Sequence, residues 1–419
     1  MDLSNKKVLV IDFGLFSEIA ARLARDCGHV YYFVPWQDAF PKMSKALIGQ
    51  NFKEIDRVME YEPLLDSVDL IVFPDTHSGA HVEFLRSHGY PVAGVGQAEE
   101  LELDRWEMRQ IQKEIGLPSQ DTELITGIVN LFEYLSEVKH KFVKMNIFRG
   151  DIESFYHSDI ESSIPLLNHL RYDLGPKADE VEFVVEDEVK GCEPGLDCII
   201  WDSQVLSPTM YGFEKKGAGY IGRVCDIKDI PPQLKMVQDK LAPIFKAYRY
   251  RFFFSSEVIC PNKTDGYLID PCCRFAAPAV SAIQTELIEN FSEVMFSFAG
   301  EQPVMPIMRH KYGAGIVLYS DWANANWLNV QIPKELSRWI KFRMASCFES
   351  DSGNMEYWAV PGHTTIATAV GLADTYEEAA SIAVERSKEV KGYQIQGGEE
   401  DIKKVLNAIE DGKRYGIRL

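Results

Sequence analysis

Strand and helix signals alternate through the first hundred residues, and this alternation constrains the fold more than any other feature of the chain. Short apolar runs typical of buried strands are separated by segments with helical periodicity. The predicted strands are residues 7–12, 30–34, 69–73 and 91–94, with helices at 16–26 and about 80–88. Strands separated by helices in this way predict a parallel, Rossmann-like sheet.

Functional groups of such sheets lie at the carboxyl ends of the strands. Four residues follow predicted strands here, namely Asp12, Gly14, Asp75 and His77. They are the first candidates for a binding site. An equally weighted interpretation is that the two aspartates cap the helices that follow them.

A helix at residues 104–116 marks the first domain boundary. Asp104 is a typical N-cap, with Glu107 three residues on, and Gly116 and Pro118 end the helix. Strands with longer loops follow as far as about residue 300, and the last 120 residues return to mixed helix and strand, with a capping box at Thr375 that opens a helix predicted to stop at Gly392. We therefore expect three domains, at residues 1–103, 104–300 and 301–419.

Charge and apolar patterning exclude several classes of protein. The 419 residues carry 63 acidic and 44 basic side chains, a net charge of −19, which disfavours general nucleic-acid binding and binding to anionic membranes. No apolar stretch is long enough to cross a bilayer, and the amino terminus lacks a signal-peptide pattern. Eight cysteines without zinc-type spacing indicate free thiols. We expect a soluble, cytoplasmic protein that meets any anionic ligand in a local basic pocket.

Several catalytic motifs are absent, and one glycine motif is misplaced. The chain has no phosphate-binding P-loop, no H-E-x-x-H and no G-x-S-x-G. A G-x-G-x-x-G occurs at residues 217–222, but Pro231 and Pro232 follow where a dinucleotide-binding fold needs a helix. We expect a flexible loop over a substrate there. A nicotinamide oxidoreductase remains a weaker alternative.

Four polar segments in a fixed order carry the chemical information. A predicted strand ends at Lys144 and is followed by a polar turn at residues 149–151, so that the lysine can meet phosphate oxygens. A β run at 183–193 contains a carboxylate cluster that would be costly to bury unless it bonds a ligand. The remaining two segments are residues 255–259, with Glu257, and residues 266–274, with Asp270 and Arg274.

These segments, in this order, resemble the ATP-grasp superfamily of carboxylate–amine ligases. The whole chain is most similar to the glycinamide ribonucleotide synthetase (phosphoribosylamine–glycine ligase) branch and its phage and bacterial relatives. Residues 71–94 resemble the second nucleotide-fold unit of that branch, residues 104–118 its linker helix, and residues 359–379 its carboxy-terminal domain. The resemblance implies a Rossmann-like pre-ATP-grasp domain, an ATP-grasp domain and a C-terminal α+β domain.

The resemblance also implies roles for individual residues. Lys144 and Arg105, where the branch commonly has a lysine, would contact ATP phosphates, and Arg274 would neutralise charge on the transferred phosphoryl group. Residues 186–193 would form the adenine hinge, with Glu186 in it, the backbone of Asp187 and Val189 at the purine edge, and Glu193 on the ribose. Glu257 and Asp270 would bind Mg²⁺, which accepts carboxylate oxygens and phosphates.

Two departures from the family pattern affect the expected activity. Cys272 stands where the family usually has asparagine, and sulfur is a poor magnesium ligand. The glycine-rich turn after the first strand is replaced by residues 12–18, which include Asp12, Ser17 and Glu18. Carboxylates there would repel a phosphate, so we expect an amine substrate other than phosphoribosylamine.

The resulting functional prediction is an ADP-forming ligase that joins a small-molecule carboxylate to an amine through an acyl phosphate, using ATP and Mg²⁺. The alternative is a catalytically degenerate nucleotide-binding or regulatory protein, which Cys272 favours. An oligomer is possible. Substrate contacts are expected from Asp12 and Asp75 and from residues between the hinge and the metal strands: Tyr211, Glu214, Lys215, Lys216, Tyr220 and Arg223. A mobile surface loop would explain this second set as well.

Overall fold

The structure, a computed structural model, describes residues 1–35, 47–147, 154–350 and 353–419. The predicted polar turn at residues 149–151 lies outside these residues.

A five-stranded parallel sheet forms the amino-terminal part, as the alternating pattern predicts. Its strands follow the order β3-β2-β1-β4-β5. The strands are β1 (Lys7–Ile11), β2 (His29–Phe33), β3 (Asp56–Val58), β4 (Leu70–Val72) and β5 (Val92–Ala93), with helices α1 (Ser17–Leu23) and α2 (Gly79–Ser87) between them. Asp12 and Asp75 therefore lie at the carboxyl edge of the sheet, just beyond the ends of β1 and β4.

Helix α4 begins at the predicted position. The Asp104 side chain accepts a hydrogen bond from the backbone N–H of Glu107 at 2.9 Å, which confirms the predicted N-cap. The helices around this junction are α3 (Glu100–Leu103) and α4 (Arg105–Glu114). Arg105 and Arg109 are one turn apart and both are buried, so the inner face of α4 presents two cations to the strands that follow.

A small antiparallel sheet, in the order β6-β9-β7-β8, comes next. Its strands are β6 (Thr122–Thr126), β7 (Lys141–Met145), β8 (Ser154–His157) and β9 (Glu182–Asp187), with helices α5 (Ile128–Glu137) and α6 (Ile160–Leu174). Val143 and Val185 pack into a core formed with the helices. Because side chains alternate across a strand, Lys144 and Glu186 lie on the opposite face of the sheet.

A nine-stranded sheet forms the centre of the molecule, in the order β15-β14-β10-β12-β13-β16-β21-β18, with β11 paired to β10. Its strands are β10 (Pro194–Trp201), β11 (Gln204–Val205), β12 (Thr209–Lys215), β13 (Gly219–Cys225), β14 (Arg251–Ile259), β15 (Tyr267–Cys272), β16 (Tyr312–Tyr319), β18 (Ile340–Phe342) and β21 (Thr365–Ala373). The sheet continues from β13 to β16 across the domain boundary expected near residue 300. The division of the chain into three domains stays a prediction.

A four-stranded sheet and five further helices complete the described part of the fold. The sheet has the order β19-β20-β17-β22, from β17 (Leu328–Pro333), β19 (Ala345–Glu349), β20 (Asn354–Ala359) and β22 (Lys391–Gly392). The remaining helices are α7 (Pro232–Ala247), α8 (Ala279–Leu287), α9 (Phe291–Ser297), α10 (Tyr376–Lys388) and α11 (Glu399–Gly412). Thr375 caps α10 through the N–H of Glu378 at 3.3 Å, as predicted, but the helix ends before Gly392, which belongs to β22.

Two further sequence predictions can be compared with the structure. Among the residues that the structure describes, no helix is both long and apolar enough to cross a bilayer. The eight cysteines are free thiols, and all but Cys272 are buried.

Candidate functional site

A cavity of about 500 Å³ opens on the central sheet, and six of the predicted site residues meet there. Glu193, Lys216, Tyr220, Glu257, Asp270 and Arg274 line it together with Cys272. We call this cavity the acidic cleft, because six described carboxylates line it: Glu102, Glu193, Asp197, Glu214, Glu257 and Asp270. Charged residues predicted from distant segments of the sequence therefore line the same cavity.

Glu257 and Asp270 are direct cross-strand neighbours. They are register partners on the antiparallel strands β14 and β15, and the register shifts immediately after Glu257. Opposed side chains on one face of such a pair have Cβ atoms about 4.5–5.5 Å apart. The two carboxyl groups can therefore hold one cation between them.

The protonation of Glu257 reflects this crowding. Although its side chain is open to the cleft, the surrounding protein removes much of its water, and the charges of Asp270, Glu214 and Glu193 repel it. Together these effects raise the pKa of Glu257 to about 8. A divalent cation at this position would relieve the repulsion and displace the proton.

Lys144, on strand β7 of the small sheet, contacts Asp270 on strand β15 of the central sheet. Its Nζ atom lies 3.1 Å from Oδ1 of Asp270 and 3.4 Å from Oε2 of Glu186. Lys144 and Glu186 are buried, so these charges interact with little screening by water. A strand-borne ammonium is thus held beside the carboxylate pair.

Arg109 is a site residue for which sequence reasoning gave no role. Its Nε donates to Glu186 Oε1, and its Nη2 donates to the carbonyl oxygen of Ile269 at 2.5 Å. Both side chains of the ion pair are 2% exposed. The only sequence signal was an arginine one turn after Arg105 on a helix face that also carries the buried Met108.

The position of Glu186 differs from what its place in the hinge suggests. Its carboxylate oxygens meet Arg109 and Lys144 inside the protein, and these two cations keep its pKa below the ordinary value despite burial. Arg105, also buried, donates from Nη1 to the carbonyl oxygen of Met145, the residue after Lys144. The two arginines of α4 therefore bond directly to β7 and β9.

The segment between β9 and β10 connects the two sheets. Asp187 ends β9 and forms an ion pair with Lys141, and Val189 follows without regular structure. Cys192 and Cys260 then exchange backbone hydrogen bonds of 3.2 and 2.8 Å. A side chain at Gly191 would collide with the carbonyl oxygen of Cys260, so glycine permits this close approach.

Two aromatic rings lie beside this connection. Phe142 and Tyr156 are partly exposed neighbours on β7 and β8, with ring centroids 5.1 Å apart. The Tyr156 hydroxyl donates to Glu188 at 3.2 Å. Phe142 is two residues before Lys144 and therefore shares its face of the sheet.

Arg274 links the acidic cleft to the amino-terminal sheet. Its Nε lies 3.0 Å from Glu102 and 3.4 Å from Asp75. Glu102, another residue for which the sequence suggested no role, also accepts the backbone N–H of Cys273 at 2.6 Å. The guanidinium of Arg274 is held in place by carboxylates from a different part of the chain.

The Asp12 side chain makes its hydrogen bonds within the amino-terminal sheet and the turn that follows β1. Its oxygens accept hydrogen bonds from the backbone N–H groups of Phe13 and Phe16 and from the Tyr32 hydroxyl, at 2.7, 2.9 and 2.6 Å. The side chain is 1% exposed. These bonds stabilise the turn before α1, but α1 has no side-chain N-cap bond, so they do not make Asp12 the cap of this helix. His77 is exposed at the end of the same sheet, with a backbone φ of 69°.

Strands β12 and β13 divide the expected substrate contacts between two faces. Glu214, Lys216 and Tyr220 line the acidic cleft. Tyr211 instead donates its hydroxyl to the carbonyl oxygen of Arg418 at 2.6 Å, and Arg223 contacts the same oxygen at 3.4 Å. The expectation that these two contact substrate is corrected by strand alternation, which places them against the carboxy-terminal segment.

The glycine motif at residues 217–222 does not form the flexible loop expected from the sequence. Gly217, with a φ of +72°, and Ala218 lie in a turn, and residues 219–222 lie in the buried part of strand β13. It is therefore part of the central sheet rather than a flexible loop. The small residues allow close packing: a side chain at Gly212 would meet the carbonyl oxygen of Ile221 on the neighbouring strand.

Asp197 and Glu214 extend the negative charge deeper into the cleft. Asp197 accepts hydrogen bonds from Ser255 Oγ at 2.6 Å and from the Tyr220 hydroxyl, and burial raises its pKa to about 6. Burial and the charge of Asp197 raise the pKa of Glu214 to about 7. These raised values show that the cleft favours bound protons or other cations.

The donor set fits magnesium. Within the described ranges no group of three or more candidate metal-ligating side chains is found. Magnesium, however, is usually held by one or two carboxylates together with phosphate oxygens and water. Glu257 and Asp270 supply two such carboxylates, while the Cys272 thiol, whose pKa burial raises, is a poor ligand for this ion.

Comparison with known proteins rests on structure. No protein-family model and no curated protein sequence matches the chain. Phosphoribosylamine–glycine ligase from Thermotoga maritima matches with a TM-score of 0.68 at 17% identity, over 93% of this chain and 98% of that one. L-amino acid ligase from Bacillus licheniformis matches with a TM-score of 0.60 at 14% identity, over 93% and 99%.

A third structure carries nucleotide. The biotin carboxylase domain of the Hydrogenobacter thermophilus 2-oxoglutarate carboxylase, a dimer in complex with MgADP and bicarbonate, matches with a TM-score of 0.67 at 13% identity, over 93% of this chain and 91% of that one. Nearly the whole length of each chain is covered, and the identities are low. These matches show a shared fold.

Proposed function

The chain has the ATP-grasp fold, and from that premise we propose that it is an ATP-dependent ligase joining a small carboxylate to an amine, with release of ADP and phosphate. One observation carries the proposal. Lys144, the Glu257–Asp270 pair and Arg274 come from three separate segments and converge on one cleft. Phosphoryl transfer needs this combination of positioned cations and metal-binding carboxylates more than it needs a covalent nucleophile.

The nucleotide would lie between the small sheet and the central sheet. Lys144 and Arg105 would face its phosphates, the backbone of Asp187 and Val189 its purine edge, and Glu193 its ribose. Phe142, exposed on the cleft face of β7, would contact the face of the base. Glu186 would act on the nucleotide through Lys144, because its oxygens are engaged by Lys144 and Arg109.

Glu257 and Asp270 would hold Mg²⁺, which supplies charge neutralisation for the phosphates when bound. Lys144 adds a second positive charge beside Asp270. Arg274, oriented by Glu102 and Asp75, would offset the charge of the phosphoryl group in transit.

The proposed reaction has two balanced steps. A carboxylate oxygen of the first substrate attacks the γ-phosphorus, the bond to ADP breaks, and an acyl phosphate forms. The neutral amine of the second substrate then attacks the acyl carbon, phosphate leaves, and the amine proton passes to a base. Glu214, whose pKa of about 7 suits proton transfer near neutrality, lines the cleft and could accept this proton.

The negative charge of the acidic cleft favours some classes of amine substrate over others. Six carboxylates line the cleft with Lys216 and Arg274, and Lys144 pairs with one of them, Asp270, so a cationic or neutral amine is favoured over a phosphorylated one. Phosphoribosylamine is therefore not the substrate we propose, although the Thermotoga maritima neighbour is named for it. Asp75, beside Arg274, remains a candidate contact at the amino-terminal sheet, whereas Asp12 is engaged within its own turn. We also propose a cytoplasmic protein, and a dimer is one possible assembly.

The competing function is nucleotide binding without catalysis, and Cys272 beside Asp270 is the observation that favours it. A single experiment separates the alternatives. Thermal unfolding is measured with Mg-ATP, Mg-ADP and NAD, and phosphate release is then screened with pairs of amino acids and amines.

We expect stabilisation by the adenine nucleotides and not by NAD, with phosphate release that requires both a carboxylate and an amine. A ligand at 100 times its Kd adds roughly 2.7 kcal/mol, which a melting curve detects. Stabilisation without release under any pair would favour the non-catalytic function. No nucleotide effect at all would reject both.

A further inference from the structure

A second cavity, of about 140 Å³, lies between α1 and strands β18 to β20 and shares no lining residue with the acidic cleft. A single water needs about 10–15 Å³ of such space, so the cavity can hold a small molecule. Five described cations line this second cavity, which we call the basic groove: Arg25, Lys53, Lys334, Arg338 and Lys341. In a chain of net charge −19, this concentration of positive charge needs an explanation.

Three of the cations share one carboxylate at the inner end of the groove. Arg25, Arg338 and Lys341 lie 2.7, 2.6 and 2.6 Å from the oxygens of Glu286. Glu286 has no exposed side-chain surface, and Lys341 is 5% exposed. One negative charge is thus surrounded by three positive charges in a poorly hydrated place.

Two further cations share one carboxylate at the outer end. Lys53 and Lys334 both pair with Glu349, with Lys334 at 2.6 Å. Counted with Glu18 and Glu54, which line the groove, the five cations face four carboxylates, an excess of one positive charge. Of the carboxylates that line the groove itself, Glu54 is exposed, which leaves Glu18 as the acid nearest the buried cations.

Glu18 opposes this charge only in part. It is 6% exposed, and burial raises its pKa to about 7, so that it is partly protonated near neutrality. One oxygen accepts from Ser281 Oγ at 3.1 Å, and the other, Oε2, has no hydrogen-bond partner within the described part of the chain.

The floor of the groove is aromatic. Phe342 and Tyr357 stack with ring centroids 3.7 Å apart, and Phe52 packs edge-on against Tyr357 at 5.9 Å. An apolar floor lowers the local dielectric constant and strengthens the attraction between the cations and a ligand.

We propose that the basic groove binds a small oxyanion, a phosphate or carboxylate group, between α1 and the carboxy-terminal strands. Arg338 and Lys341 would donate to its oxygens from the inner end, and Lys334 and Lys53 from the outer end. Cations that share a carboxylate have N–H groups to spare, and charge-assisted bonds to an oxyanion are among the strongest that these groups form. The ligand would contact both α1 and strands β18 to β20.

Calorimetric titration of the nucleotide-free protein tests the proposal with inorganic phosphate, sulfate and succinate, each against sodium chloride at equal ionic strength. We expect saturable binding of at least one oxyanion. Phosphate and sulfate without succinate would identify a phosphate-type ligand, and succinate alone a carboxylate ligand. No heat above that of chloride for any probe would overturn the proposal.

Variants locate the site. The double substitution Lys334→Ser with Arg338→Gln should weaken binding at least tenfold. Lys53→Ser alone, at an exposed position, tests the outer end if the double variant folds poorly. Lys235→Ser, which removes a lysine paired with Asp239 on the surface of α7, should leave binding unchanged. Unchanged affinity in the groove variants would place the anion elsewhere and refute the proposal.

Discussion

Lys144 of the small sheet reaches Asp270 of the central sheet, with its Nζ atom 3.1 Å from Oδ1 and 3.2 Å from Oδ2. The two residues are 126 positions apart in the chain. The contact connects the proposed phosphate-binding cation with the proposed metal-binding carboxylate. It predicts that the small sheet and strands β14 and β15 act as one unit.

Replacing Lys144 should impair turnover far more than folding. We expect Lys144→Met to lower the rate of ATP hydrolysis or ligation roughly 10²-fold, since one positioned charge at a transferring group is commonly worth that much. Lys235→Met, on the surface of α7, is the matched control. A Lys144→Met protein with near-normal kcat would remove this lysine from the proposed mechanism.

Magnesium binding should strengthen with pH. The pKa of Glu257 is about 8, so metal must displace a proton below that value, and affinity should rise between about pH 6 and 8.5. Because the pKa in the folded state lies above the ordinary 4.5, metal-free protein should lose stability as the pH rises from about 4.5 to about 8. Glu257→Gln should flatten the pH dependence of magnesium affinity in calorimetry and reduce the loss of stability in melting curves, to which Glu214 and Asp197 also contribute. A wild-type magnesium affinity independent of pH would contradict the metal assignment.

Replacing only one residue of the Arg109–Glu186 pair should lower the stability of the folded protein. Removing one partner of a buried ion pair typically costs about 3–5 kcal/mol, because the other charge stays buried without compensation. We therefore expect Arg109→Met to lower the free energy of unfolding by about that amount in urea titrations. The double variant with Glu186→Gln should recover part of the loss. Simple addition of the two single effects would show that the pair is not coupled.

Glu286 should stabilise the protein only above acidic pH. Its pKa falls from 4.5 to about 2, since Lys341 and Arg25 favour the charged form despite burial. A carboxyl with a depressed pKa contributes stability that is present above about pH 4.5 and lost as the pH falls towards 2. The shift of about 2.5 units corresponds to roughly 3 kcal/mol. The stability difference between wild type and Glu286→Gln should shrink over this range, and a constant difference would contradict the prediction.

Cys272→Asn should keep or raise activity. The substitution places an oxygen donor beside Asp270, where the present thiol sits 4.0 Å from the carbonyl oxygen of Arg274. If the amide found no partner, stability would fall by roughly 1–3 kcal/mol. Melting temperature and phosphate release are measured on the same samples. A folded but inactive variant would mean that the sulfur has a role of its own.

Local features could be predicted from the sequence because they depend on residues that are close together in the chain. Apolar periodicity predicted the parallel amino-terminal sheet, and the Asp104 and Thr375 caps were readable from residues three positions apart. Glu257 and Asp270 were predicted on consecutive strands, and the structure pairs them. Each of these inferences needed only the spacing of a few side chains along one or two elements.

Partners distant in the chain were decided by the tertiary structure alone. The sequence could not show that Glu186 would meet Arg109, or that Arg274 would meet Glu102, because nothing local distinguishes a buried carboxylate from a solvated one. It could not choose the face of β12 for Tyr211, since a shift of one residue in register reverses every side chain of a strand. The sequence by itself therefore determined the elements and the ordered set of charges. Packing, which brings together residues more than a hundred positions apart, determined which of those charges pair with one another and which remain open to a ligand.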